Sequence, residues 1–133
     1  MTQHIDKLAW IFVEQRRVLM TRSYGKDQYY LPGGKREQGE SDQQALIREI
    51  KEELNVDLIP ETLSLVEVFQ AQAHGKAEGV MVVMRCYQGD YQGQLQASAE
   101  IEELRWLTTT DKTICSQAAC LVLDYLAENG LID

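Results

Sequence analysis

Four of the five glutamates between Gly34 and Val56 are spaced like metal ligands rather than like ordinary surface charge; the segment reads GKREQGESDQQALIREIKEELNV. Glu49, Glu52 and Glu53 recur at i, i+3 and i+4, so a helix would carry all three on one face, with Glu40 just ahead of it. Like charges at that spacing oppose helix formation by roughly 0.2–0.5 kcal/mol per pair, which calls for a cation to offset them. Oxygen-only carboxylate clusters select hard divalent ions, Mg²⁺ or Mn²⁺, and such ions usually accompany phosphates. The chemistry that suits them is attack of water on a phosphoanhydride, a dense anion that resists it until its oxygens are neutralised and a water is acidified.

The helix that must present these acids is legible locally. Ser41 is a good N-cap, and Gln44 three residues on completes a capping-box pattern. Residues 42–54 contain no Gly, Pro or β-branched run. Projected at about 100° per residue, Leu46, Ile47, Ile50 and Leu54 form one apolar stripe, and the three glutamates centre about 120° away. One face docks on a core and the other looks into a cleft. Asn55 should end the helix, because Asn tolerates the left-handed conformation second only to Gly.

Around it the chain reads as alternating strands and two helices. Leu8 to Glu14 is an apolar run without polar alternation, so a strand buried on both faces is expected. Gln15-Arg16-Arg17 reads as a turn, Val18 to Arg22 as a second strand, and Ser23 to Gln28 as a polar loop. Tyr29-Tyr30-Leu31 reads as a short strand ended by Pro32, with Gly33-Gly34 a tight loop that lets backbone approach a ligand. After a turn at Pro60, Leu63–Ala73 and Val80–Tyr87 form a hairpin about the loop His74–Gly79, and Leu104–Leu107 is a last strand. Thr109 or Thr110 is the candidate cap of a C-terminal helix running to Glu128, stopped by Asn129-Gly130. Hairpins mixed with long connections, plus two helices, suggest an α/β chain with a mixed sheet covered on both faces.

The acidic segment resembles the Nudix box: Gly, five residues, Glu, seven residues, then Arg-Glu-apolar-any-Glu-Glu-any-Gly-apolar. Gly34, Glu40, Arg48, Glu49, Ile50, Glu52, Glu53 and Val56 match, and Asn55 stands where the family has Gly. The flanking YYLPGG and the later EIEELRWL also look like the strands that bracket the box. The resemblance implies an α/β/α sandwich around a mixed, partly antiparallel sheet, and Mg²⁺-dependent pyrophosphohydrolysis with Mn²⁺ as a substitute. It assigns metal ligation to Glu49, Glu52 and Glu53, often helped by Glu40 or the Gly34 carbonyl, and makes Arg48 a residue that steers a carboxylate. The general base varies in the family. Glu49 and Glu53 are candidates within the box, and Glu100 and Glu103, just before the Leu104–Leu107 strand, are candidates outside it, with Glu100 preferred.

Substrate contacts are less sharply marked. Arg22 is a candidate phosphate ligand or a salt-bridge partner. Tyr24, Tyr29, Tyr30 and Phe69 are candidates to stack on a base or to pack in the core, with Tyr30 and Phe69 preferred as ligand contacts. Lys35 and Arg36 either offset the box charges or touch phosphate. His74, Trp10 and Trp106 read as structural. No subgroup motif for dinucleoside polyphosphates, NADH or coenzyme A is apparent. The expected substrate is therefore a nucleoside triphosphate, oxidised or otherwise noncanonical ones included, split to monophosphate and pyrophosphate. A sugar-nucleotide or other diphosphate ester, and a non-catalytic nucleotide-binding module, are the alternatives.

Composition narrows the partners. The chain has 133 residues, expected to form one domain, and a net charge of 13 − 21 = −8. That charge argues against nonspecific binding to nucleic-acid polymers or anionic membranes, though not against a small anion once metals invert the local field. No apolar run approaches the ~18–20 residues of a membrane span, and the polar MTQHIDK start lacks a signal-peptide core. Cys86, Cys115 and Cys120 lack metal-ligand spacing and read as thiols of a reducing cytoplasm. The expected species is a cytoplasmic monomer or homodimer.

Overall fold

The computed structural model describes residues 3–73 and 76–133; His74 lies outside the described residues. Strand β1 (Gln3–Ile11) runs parallel to β7 (Val80–Gln88) and antiparallel to β4 (Gly33–Lys35), while β6 (Ser64–Gln72) pairs antiparallel with β7, giving the order β4-β1-β7-β6. A second sheet orders β2 (Val13–Glu14), β3 (Arg17–Ser23) and β9 (Ile101–Leu107), all antiparallel. A short pair, β5 (Asp57–Leu58) and β8 (Tyr91–Gln92), lies apart. The helices are α1 (Asp42–Leu54) and α2 (Gln117–Glu128).

Alternate residues of β1 enter different cores, because successive side chains of a strand face opposite ways. Leu8 and Trp10 pack with Leu46, Ile50 and Leu54 of α1, while Ala9 and Ile11 pack with Val122, Leu123 and Leu126 of α2. Strand β3 divides likewise, Leu19 to the α1 side and Val18 and Met20 to the α2 side. The strand layer is thus sandwiched between two helices, the α/β/α arrangement expected, and the apolar run from Leu8 is buried on both faces for that reason. Fully burying a Leu or Ile contributes about 1.5–3 kcal/mol, so the α1 stripe fixes how the helix is rolled and hence where its acids point.

Helix α1 begins and ends as its residues dictate. Ser41 accepts from the Gln44 N–H while the Gln44 side chain accepts from the Ser41 N–H, and Asn55 takes the left-handed conformation, its N–H donating to the Lys51 carbonyl. Other boundaries move. Gly33 and Gly34 are strand residues paired with Ala9 and Leu8 rather than a loop. A side chain at Gly33 would strike the Leu8 carbonyl at 2.0 Å, so only glycine lets this edge strand close on β1. Tyr29 and Tyr30 make only isolated bridges, to Cys115 and Thr21. The C-terminal helix does not start at Thr109 or Thr110: Thr108 caps a 3₁₀ segment, Thr109–Ile114, and Ser116 caps α2. Cys86 and Cys115 are buried, which pushes both thiols up to about 12 and leaves them unreactive. Among the described residues no helix is long and apolar enough to cross a membrane.

Candidate active site

Gly34 sets the closest approach between sheet and helix. A Cβ there would lie 2.5 Å from the Glu49 carboxyl carbon, so the bare backbone is what admits that side chain. Next to it, the Gly33 N–H donates to Glu53 Oε1 at 3.0 Å. Glu100 arrives from a distant segment. The loop before β9 is strapped to the end of α1 by two backbone bonds, Gln96 N–H to the Leu54 carbonyl and Ser98 N–H to the Glu53 carbonyl. Ala99 then turns in the left-handed region at φ 51° and delivers Glu100 beside the helix. One carboxylate oxygen from each of Glu49, Glu53 and Glu100 lies within 4.8 Å of the other two.

The other acids of the segment belong to Arg48. Its guanidinium forms two bonds with Glu40, 2.7 Å from Nε and 2.9 Å from an Nη, and another with Glu49 at 2.9 Å. It also donates to the Lys35 carbonyl and stands 3.5 Å from the half-exposed Glu52. Glu40 and Glu52 therefore face Arg48 and are not part of the close trio. The Arg48 hydrogen bonds hold the Glu40 carboxyl at about 2. Glu53 is the opposite case. It is 6% exposed, and burial, reinforced by Glu100 and Glu49, pushes it up to about 9 against the pull of the Gly33 N–H. Burial also raises Glu49, with Arg48 opposing. Three carboxylates brought this close cannot all stay ionised without a cation, and an oxygen-only donor set suits a divalent metal.

The trio forms one wall of a cavity of about 460 Å³. Apolar residues line it too, Ala9, Leu31, Val82, Met84 and Ala119 among them, together with Tyr30. Among the expected ligand contacts, Tyr30 lines this cavity, whereas Arg22 pairs with Glu102 at 2.8 Å and Phe69 packs edge-on against Tyr125 of α2. Glu103 accepts a hydrogen bond from the Tyr29 hydroxyl, and Arg36 pairs with Asp6 and Asp42. Tyr24 is exposed, and Trp10 and Trp106 pack in the core on the α1 side.

Lys7 was not singled out by sequence reasoning. It lines the cavity from β1, on the side of the strand shared by Ile5 and Ala9. Burial and then the charge of Lys35 lower its pKa, against the pull of Glu53 and Glu49. The available signal was its register. Ile5, Ala9 and Ile11 occupy the same face of β1, so a lysine between them is a charge on a core-facing position.

Comparison with known proteins agrees with this fold. The solution structure of the E. coli ORF135 protein superposes with a TM-score of 0.73 at 27% identity, covering 95% of this chain and 91% of that one. The MutT NUDIX hydrolase from Burkholderia pseudomallei gives 0.75 at 24% identity, covering 92% and 97%. A MutT structure from work on the Aliivibrio salmonicida and Vibrio cholerae proteins shares the fold at 0.72 and 20% identity, covering 96% and 99%. A search of curated proteins gave no significant match. The family model for the NUDIX domain matches residues 2–117, so the chain belongs to the Nudix family and is a Nudix pyrophosphohydrolase.

Proposed function

We propose that this enzyme splits a nucleoside triphosphate, with an ordinary or an oxidised base, into the monophosphate and pyrophosphate, using Mg²⁺. The observation that carries the reading is that Glu49, Glu53 and Glu100 come together in the lining of a cavity that also carries apolar side chains and Tyr30. The phosphates would lie along the acidic wall and the base against Leu31, Val82 and Met84, beside Tyr30. Glu49, Glu53 and Glu100 would hold the divalent ion, with Glu40, Glu52 and the Gly34 carbonyl available as further oxygen donors from the box. When bound, the ion supplies neutralisation of phosphate oxygens and a more acidic water.

The protein groups divide the remaining work. The Gly33 N–H fixes the Glu53 carboxylate, and Arg48 fixes Glu49 while holding Glu40 away from protonation. Glu100, exposed and carried by a strapped loop, would accept the proton of the attacking water. The apolar lining residues would shield the base from solvent. A panel of nucleotides incubated with Mg²⁺ tests the reading. Pyrophosphate and a nucleoside monophosphate are the expected products. Two phosphate monoesters from a diphosphate ester, or no turnover of any substrate, would overturn it.

A further inference from the structure

The chain has six lysines, and four of them, Lys7, Lys26, Lys35 and Lys76, line the same cavity. Lys51 and Lys112 lie elsewhere and are paired with Asp57 and Asp124. Among the described residues, none of the four cavity lysines forms an ion pair. The same cavity holds Glu49, Glu53 and Glu100, yet among the described residues none of these acids is ion-paired with a lysine. Lys7 and Lys35 are moreover direct cross-strand partners in the β1–β4 ladder. Like charges directly opposite one another destabilise an antiparallel pair. Lys7 is also half-buried, and its ammonium stands 5.8 Å from the centre of the Tyr30 ring. Glu53 and Glu49 attract Lys7 from the same cavity, yet neither forms an ion pair with it among the described residues, so two facing cations stay open to an incoming anion.

Resting on the reading that this cavity holds a phosphoanhydride, we propose that Lys7, with Lys35 opposite it and Lys26 and Lys76 at the rim, forms a subsite for a terminal phosphoryl group. Lys7 is then a specificity-determining residue. A terminal phosphoryl carries about −1.5 to −2 near neutrality, whereas a phosphate esterified on both sides carries a single charge. The subsite therefore favours substrates with a free phosphate end over diphosphates esterified at both ends. The carboxylate trio holds the scissile bridge, and the lysines hold the anion beyond it.

The test is equilibrium binding in Mg²⁺ of two nonhydrolysable probes, inorganic imidodiphosphate with free ends, and methylene-bridged adenosine diphosphate ribose with both ends esterified. Lys7→Met should weaken imidodiphosphate binding about tenfold or more, the usual worth of a charge-assisted hydrogen bond, and leave the diester within about twofold. Lys26→Ala combined with Lys76→Ala, both at exposed loop positions, should weaken it in the same sense, and Lys112→Met should do nothing. Without ligand, Lys7→Met should melt no lower than the parent, because the change removes a like-charge pair. Equal losses on both probes, no loss on either, no imidodiphosphate binding by the parent, or a markedly less stable Lys7→Met would overturn the proposal. Failure of every nucleoside triphosphate as a substrate would sink the proposed reaction and leave this result standing, because imidodiphosphate carries no base.

Discussion

Glu53→Gln tests whether the buried acid works against the fold until a cation arrives. Folded, its carboxyl sits at about 9 instead of the usual 4.5, first because it is buried and then because Glu100 and Glu49 crowd it. Between those two values the native state keeps a proton that the unfolded chain has released, so stability falls as pH rises through that window. From 4.5 to about pH 7.5 is about three units at 1.36 kcal/mol each, a loss of roughly 4 kcal/mol. That figure is a ceiling, since the proton is shared with Glu49 and Glu100. Glutamine keeps the shape, holds no titrating proton and still offers an oxygen to the Gly33 N–H. In chelator, Glu53→Gln should match the parent near pH ~4.5 and exceed it by up to about 4 kcal/mol near pH ~7.5, read by urea unfolding followed by circular dichroism. Added Mg²⁺ should restore the parent and leave the variant nearly unmoved, while turnover of the variant drops by orders of magnitude. Parallel pH profiles for the two proteins, or a variant less stable at neutral pH, would refute the reasoning.

Three further outcomes are expected. Millimolar Mg²⁺ should raise the melting temperature of the parent by several degrees, as ligands that bind only the native state do, and calorimetry with and without chelator checks this. Gly34→Ala places a methyl against the tip of the Glu49 side chain, so it should cost little stability but about 100-fold in turnover, whereas Gly33→Ala, at φ 141° and against backbone, should cost roughly 1–3 kcal/mol or more. Glu100→Gln should fold normally and lose most of its turnover; a parental rate would remove Glu100 from proton transfer.

What the sequence revealed and what it hid follow one physical division. Ser41, Gln44 and Asn55 were legible because caps act over three or four residues. The acidic face was legible because helical period alone sets it. The strand buried on both sides was legible because Leu8 to Ile11 must be apolar on both faces to meet two helices. Non-local facts were harder. Glu100 reaches Glu53 only through the straps from Gln96 and Ser98, and no local pattern announces those bonds. Phe69 read as a ligand contact in preference to a core residue, and that preference does not hold. The choice was made by α2, whose Tyr125 covers it, and α2 began seven residues or so later than its Thr caps implied. Gly33-Gly34 read as a loop because glycine usually marks one; here the missing side chains serve close strand pairing and the seat of Glu49.

The cluster also revises the argument from like-charge repulsion. Glutamates at i, i+3 and i+4 require a cation, but much of that requirement is met inside the helix by Arg48, which touches Glu40 and Glu49 and stands near Glu52. If repulsion along the helix were the whole case for a metal, Arg48 would weaken it. The stronger case rests on Glu53 and Glu100, for which no ion pair exists among the described residues. Glu53 is buried against backbone, and its nearest charged neighbours in the trio are themselves acids. Lys7 lines the same cavity and is attracted by Glu53 and Glu49, but it forms no ion pair with either among the described residues. Arg48 thus pairs with the outer acids from the helix itself and leaves Glu53 and Glu100 in the cavity lining, where a diffusible divalent cation can draw off their shared proton and bind the carboxylates and an incoming phosphate together.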